Sequence, residues 1–469
     1  THRYSSAASD VYKRQKMTGA SPGNRLNALR GILAAAVTAA VLCLATLASA
    51  SMIRDTEIEA GLVAMLAPLE QAAGYAPGSI DMRVILNQEY NAFVAAKRMI
   101  FMHSGLLIEA SSELEVIGVM AHELGHIKEG HVQRTDDELK QASGAAALAT
   151  AAAIAVAAGG QGGAAAGVLI GGNDQATRGY LASRRRAESI ADEISLRLLE
   201  DTGMSAVGLR DLMQRMARQR SIPESRQSTY YSTHPGAADR LQTFQDHLNM
   251  SPHSDTPAPA AVTKLFERIR AKIIAWTESP QRVHAIADDI APDGSIAIYM
   301  KAIAEFRRGD LNNAADRLDE LVARHPEDPY FHEFRGDVLF AMARPTDAAN
   351  AYRTALELRP GSALIQINLG RALIASGGPA DLEEAVAVLK AARAFEGEWA
   401  FVHRQYGIAL GRSGRIAEAD LALADEAILL GDGTRAATLA RRVLKMETAD
   451  QVLRSRASDI VFRYSQDRQ

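Results

Sequence analysis

The stretch Val116–His131, VIGVMAHELGHIKEGH, decides the reading of this chain. His122, Glu123 and His126 form an HExxH pattern within it. On an α-helix, residues four apart sit one above the other, so both imidazoles reach the same point in space. Neutral imidazoles are zinc ligands, and zinc lowers the pKa of a water it holds to about 7. Glu123 follows His122 directly, placed to take the proton of such a water and pass it to a leaving amine. Val116, Ile117, Met120, Leu124 and Ile127 recur at three- and four-residue steps, the pattern of a helix with a packed face. Gly125 weakens the helix but lets another backbone come close.

Working outward from this helix, Asp55–Ala73 reads as a helix with Leu62, Val63, Leu66 and Leu69 on one side. Met82–Leu86 reads as a short strand. Ala92–Met102 reads as a strand or strand pair, placed to form a sheet edge on which a peptide substrate adds a strand. Gly144–Gly172 is rich in alanine and glycine, and neither half is long enough to span a bilayer. It is expected to form two short helices around a flexible tip: a mobile lid, a peripheral membrane contact or a buried hairpin.

Ser183–Leu199 reads as another helix, with Glu188 and Asp192 one turn apart. A catalytic zinc takes three protein ligands and keeps one position open. Glu188 suits the third ligand, with Asp192 accepting the other N–H of a liganding imidazole. On the residues alone, a solvated acidic pair beside Arg184–Arg186 fits equally well.

HELGH followed by Glu188 and Asp192 in an ExxxD spacing resembles the gluzincin metallopeptidases of the HtpX and CAAX-prenyl-protease group. Asn91-Ala92-Phe93 and Ser232-Thr233-His234-Pro235 look like further landmarks of that family, and the resemblance covers roughly residues 52–248. It implies His122, His126 and Glu188 as Zn²⁺ ligands, Glu123 as the base and Asp192 behind a ligand. His234 and Arg240 are further catalytic candidates, since a histidine in this loop approaches the metal or its transition state in relatives of this layout.

Beyond the Pro/Ser-rich stretch Ser251–Ala261, Gly336, Gly370 and Gly407 recur at spacings of 34 and 37. Around Gly336, the residues Leu339, Ala348, Tyr352, Ala355 and Pro360 follow the tetratricopeptide pattern. About four units are expected over 295–430, capped by a helix over 434–446. Such arrays stack into an α-solenoid with a concave face for proteins or peptides.

The expected fold class is mainly α (α+β), a gluzincin domain with a small sheet followed by an α-solenoid. Residues 1–16 read as a non-native leader. Residues 17–50 read as a signal peptide, with Arg25 and Arg30 before an apolar run and Ala48-Ser49-Ala50 as the cleavage site; an uncleaved anchor is the alternative. Residues 51–250 form the peptidase domain, 251–262 the linker and 263–469 the repeat domain. Cys43 is the sole cysteine, so beyond residue 50 the chain has neither a disulfide nor a cysteine zinc ligand. That remainder carries 46 basic against 55 acidic residues, a net charge of −9, which argues against a nucleic-acid partner.

The order of segments resembles the BepA-type periplasmic proteases associated with outer-membrane protein assembly. The resemblance implies an exported zinc endopeptidase acting on misfolded or stalled envelope proteins. Its repeats would dock clients or the assembly machinery. The alternative is a chaperone or assembly adaptor working through its repeats, with a latent site gated by His234 or by the Ala/Gly-rich segment.

Overall fold

The structure is a computed structural model that describes residues 52–95, 98–130, 162–218, 230, 233, 234, 236–290 and 294–465; over 162–181 it describes the helical course alone. The leader, the signal-like segment and most of the Ala/Gly-rich segment lie outside these residues.

The peptidase part opens with β1 (Met52–Ile53) and α1 (Thr56–Ala72), then β2 (Asp81–Ile85), β3 (Ala92–Ala95) and β4 (Met99–His103). The sheet order is β1-β2-β4-β3. β2 and β4 run parallel, with β1 antiparallel to β2 and β3 antiparallel to β4. Ala92–Met102 is therefore a strand pair, and β3 lies at the sheet's edge among the described residues, stacking Phe93 on Phe101.

Short α2 (Ser104–Glu109) leads into α3 (Glu113–Lys128), the HExxH helix. Ser112 caps α3, accepting from the Glu115 backbone N–H, and Glu113 and Glu115 put negative charge on its first turn. The apolar stripe predicts one packed face, but every residue from Leu114 to Ile127 is buried. Other elements cover the remaining faces. These are α1, β3, α4 (Gly162–Asp201) and α5 (Val207–Arg218), while α6 (Ala237–Met250) packs on α5. One core joins Leu62 and Leu66 of α1, Ile100 of β4, Met120 and Leu124 of α3, Leu209 of α5 and Phe244 of α6. Helix α4 is 40 residues long, so 162–172 continues into the ExxxD helix and does not form a separate short one.

Helix α7 (Ala260–Thr277) begins inside the expected linker. Its Phe266, Ile269 and Ile273 belong to the peptidase core, while Ala271 and Ala275 belong to the next core. One helix thus contributes apolar residues to both cores. After α8 (Pro280–Ile290), antiparallel pairs follow: α9 (Ser295–Arg308) with α10 (Leu311–Arg324), α11 (Pro329–Ala341) with α12 (Pro345–Leu358), α13 (Ala363–Ser376) with α14 (Pro379–Phe395), and α15 (Ala400–Arg412) with α16 (Ile416–Leu429). The helix expected as a cap, α17 (Gly433–Leu444), has a partner of its own in α18 (Gln451–Ser465).

The three repeat glycines mark where paired helices touch. A Cβ at Gly336 would lie 2.6 Å from the Tyr352 ring, and Cβ atoms at Gly370 and Gly407 would meet Leu389 and Leu423 at 2.5 and 2.8 Å. No helix among the described residues is long and apolar enough to cross a membrane.

Candidate metal centre

The site forms where α3 crosses α4, and Gly125 sets how close they come. A Cβ there would stand 2.8 Å from the Ala191 carbonyl oxygen and 3.0 Å from its Cα. Ala191 lies between Glu188 and Asp192, so this contact brings both acids against the two histidines. Gly125→Val is expected to force the helices apart, since overpacking a filled interior typically costs about 1–3 kcal/mol. Metal affinity should fall at least about ten-fold, one 1.4 kcal/mol step; equilibrium dialysis against a metal chelator checks it.

His122 Nε2 lies 3.1 Å from His126 Nε2 and 3.3 Å from Glu188 Oε2, and His126 Nε2 lies 3.6 Å from Glu188 Oε1. His234 comes from the loop before α6, its Nδ1 3.0 Å from Glu188 Oε2 and 3.3 Å from His122 Nε2. One ligand atom from each of the four residues lies within 4.8 Å of the others, and all four residues are buried. Ligands at about 2.0–2.1 Å around a tetrahedral ion are separated by about 3.3 Å. The observed spacings cluster around that value, and a set of imidazoles with one carboxylate suits zinc. The residues present therefore fit a metal ion.

Behind the cluster, His122 Nδ1 faces Asp192 Oδ1 at 3.0 Å, which fixes the ring with Nε2 toward the cluster. Arg240 donates from Nε and from a terminal nitrogen to the two Asp192 oxygens, both at 2.7 Å. Its other terminal nitrogen donates to Glu188 Oε2 at 2.9 Å and to the His234 carbonyl at 3.4 Å. Arg240 thus ties both acids of ExxxD to the His234 loop while only 5% exposed.

These contacts set the charges. Burial alone would raise Glu188, but His234 and His122 hold it well below the usual carboxylate range. Burial would likewise raise Asp192, and Arg240 brings it below its ordinary value. Burial would lower His122, yet its bonds to Asp192 and Glu188 push it up to about 9. Glu123 goes the other way: burial raises it, and the charges of His234 and His122 only partly offset that. A carboxyl raised toward neutrality is suited to accept and return a proton. Its Oε1 is buried, has no hydrogen-bond partner and lies 3.5 Å from His234 Nε2, which is also unpartnered.

Tyr230 is a residue that motif reading passes over. Its ring stacks on His234 with centroids 4.3 Å apart, and Tyr90 meets it edge-on at 5.9 Å. The Tyr230 hydroxyl is buried and unpartnered. Beneath it, Tyr90 donates to Glu115 at 2.5 Å, and Arg215 pairs with the same carboxylate. The only sequence signal was an aromatic pair, Tyr230-Tyr231, just ahead of His234.

A buried HExxH helix, met by an ExxxD helix that completes a metal-binding cluster, defines a gluzincin-type metallopeptidase domain. Residues 54–247 match Peptidase family M48, and residues 299–342 and 335–398 match the tetratricopeptide repeat. The chain carries a Peptidase family M48 domain followed by tetratricopeptide repeats.

Among curated relatives, the chain is 23% identical over 305 residues to the "Beta-barrel assembly-enhancing protease" of Yersinia pestis, covering 63% of this chain and 61% of the relative. It is 31% identical over 177 residues to "Metalloprotease LoiP" of Escherichia coli (strain K12), covering 36% of this chain and 63% of that one. To "Metalloprotease YcaL" of the same organism it is 26% identical over 179 residues, covering 36% of this chain and 62% of the relative. The chain therefore spans somewhat over three-fifths of the length of these relatives.

Proposed function

We propose that this chain is a zinc endopeptidase of the periplasm, exported by its N-terminal signal segment and held latent by His234. Its role would be quality control of envelope proteins during outer-membrane protein assembly. The observation that carries this reading is the convergence of ligand atoms from His122, His126, Glu188 and His234 within 4.8 Å of one another, beside a buried Glu123 whose Oε1 accepts no hydrogen bond from the described residues. His122, His126 and Glu188 are the permanent ligands. They come from two rigid helices, and Asp192 and Arg240 fix the orientation of His122 and Glu188. His234 comes from a loop and fills the position that a catalytic site must keep open.

Bound zinc would supply a Lewis acid that polarises the scissile carbonyl and acidifies the attacking water. With His234 displaced, Glu123 would take one proton from the water as the water's oxygen bonds to the scissile carbonyl carbon. It then delivers the proton to the amide nitrogen, so the C–N bond breaks with a neutral amine leaving. Arg240 acts as a positioning residue, since its N–H groups are spent on Asp192, Glu188 and the His234 carbonyl. The edge strand β3, beside α3, offers main-chain hydrogen bonds to an extended substrate.

The family match and the names of the relatives support the peptidase reading and the link to β-barrel assembly. The solenoid supports docking of protein clients or of the assembly machinery. That His234 fills the cluster also favours the adaptor reading, in which the repeats act while the site stays shut. His234→Ala tests the gate: a peptidase held latent by His234 should hydrolyse unfolded casein about ten-fold faster than wild type, as expected if the native site is open about a tenth of the time. No gain would exclude His234 as the gate, and the adaptor reading is weighed separately by client rescue with Glu123→Gln.

A further inference from the structure

The start of α1, with Arg54 and Asp55 before it, lines a cavity of about 320 Å³ together with α7, α11, α13 and the start of α15. Two features set its chemistry. Aromatic rings surround it: Trp276, Tyr330, Phe334, Trp399 and Phe401. The other feature is two acids on α11, Glu333 and Asp337, one helical turn apart on the same wall.

Of the cations at or near its wall, Arg54, Lys272 and Arg268 are paired with other carboxylates, while Arg371 is held by an amide and two rings. Arg54 donates to Glu59 at 2.7 Å and to Glu396 at 2.6 Å, over the face of Trp399. Lys272 lies 2.8 Å from Asp55 and 3.0 Å from Glu57. Arg268 pairs with Glu57 and Asp328. Arg371 donates to Asn368 and lies near the rings of Phe340 and Phe401.

By contrast, among the described residues Glu333 and Asp337 have only hydroxyl partners: Thr56 donates to Glu333 and Tyr352 to Asp337, each at 2.6 Å. Burial pushes Glu333 up to about 8 and Asp337 up to about 6, as expected of carboxyls that lack a close cation. Lys272 and, for Asp337, Arg371 pull them down, while Asp55 and, for Glu333, Asp337 push them up.

We infer that this cavity binds the side chain of an arginine or lysine presented by an extended segment of a partner protein. The aliphatic stem lies among the rings and the cationic head faces Glu333 and Asp337. Aromatic faces attract cations, and the two acids complete the charge. The cavity accounts for a preference among partners, and the inference does not depend on peptide hydrolysis.

The chain's two tryptophans both line this cavity, so its intrinsic fluorescence reports on this place alone. The test uses the full chain carrying Glu123→Gln, which prevents cutting of the probe. Blocked pentapeptides differing only at the centre (arginine, citrulline or glutamate) are titrated while tryptophan emission is followed. The arginine peptide should give a saturable change and bind at least about ten-fold more tightly than its citrulline isostere.

Glu333→Gln with Asp337→Asn should remove that preference. In the unsubstituted cavity, affinity should rise from pH 6 to pH 8.5, because both acids lose protons over that range while the arginine stays charged. Equal binding of the citrulline peptide, tighter binding of the glutamate peptide, an unresponsive emission or a flat pH profile would each overturn the inference. The pH series keeps the test decisive if the double variant does not fold.

Discussion

The Glu123→Gln protein is expected to bind zinc as the native chain does and to hydrolyse an unfolded protein more slowly by a factor of about 10²–10⁴, the usual worth of a positioned acid–base group. The substitution keeps the shape of a side chain that is 1% exposed, so packing gives no reason for a loss of fold. It removes the one carboxylate beside the ligand cluster that has no partner at Oε1 and is raised by burial. Made in the His234→Ala background, it tests the chemistry with the fourth position cleared. Equal rates with and without Glu123, zinc being bound in both, would show that the hydrolysis comes from elsewhere. The same variant also weighs the adaptor reading: if assembly of outer-membrane proteins in cells is fully restored by Glu123→Gln, the repeats carry the role.

Glu188→Ala should have the second large effect, on metal retention. Glu188 lies within 3.6 Å of both helix histidines and accepts from Arg240. Removing it takes away the proposed ligand from the second helix and leaves Arg240 buried with Asp192 as its one remaining carboxylate partner among the described residues. Breaking a buried ion pair from one side typically costs about 3–5 kcal/mol, so this variant should also melt at a lower temperature. Glu188→Gln separates the two effects. It keeps the volume and an acceptor oxygen but is a poor zinc ligand, so it should lose metal with a smaller loss of stability. Metal analysis after dialysis, beside thermal melting of the zinc-free proteins, reads both.

The HExxH helix was legible because its chemistry is local. Two histidines at a four-residue spacing, on an apolar run with a capping Ser112, need nothing from the rest of the chain to be recognised. Gly125 carried a correct hint of close backbone approach, though the sequence could not say that Ala191 would be the neighbour. Glu188 lies 62 residues beyond His126, and spacing alone left it balanced between ligand and solvated acid. Only the family resemblance favoured the ligand.

Long-range arrangement was where reading failed. Gly162–Asp201 is one helix, with no proline in it, yet its alanine and glycine content suggested a short helix before a separate one. Helix α7 looked like the start of a separate repeat domain, since Phe266, Ile269 and Ile273 do not announce which core they enter. Tyr230, stacked on His234, carried no motif at all. The cavity over Glu333 was equally hidden, because it takes five helices from distant parts of the chain to enclose it.

The most direct test is zinc K-edge X-ray absorption on the purified chain and on Glu188→Ala, with metal content measured on the same samples. The account predicts one zinc per chain, four nitrogen or oxygen neighbours at about 2.0–2.1 Å and no sulfur, and its loss in Glu188→Ala. Stoichiometric zinc retained in Glu188→Ala with an unchanged spectrum would contradict it.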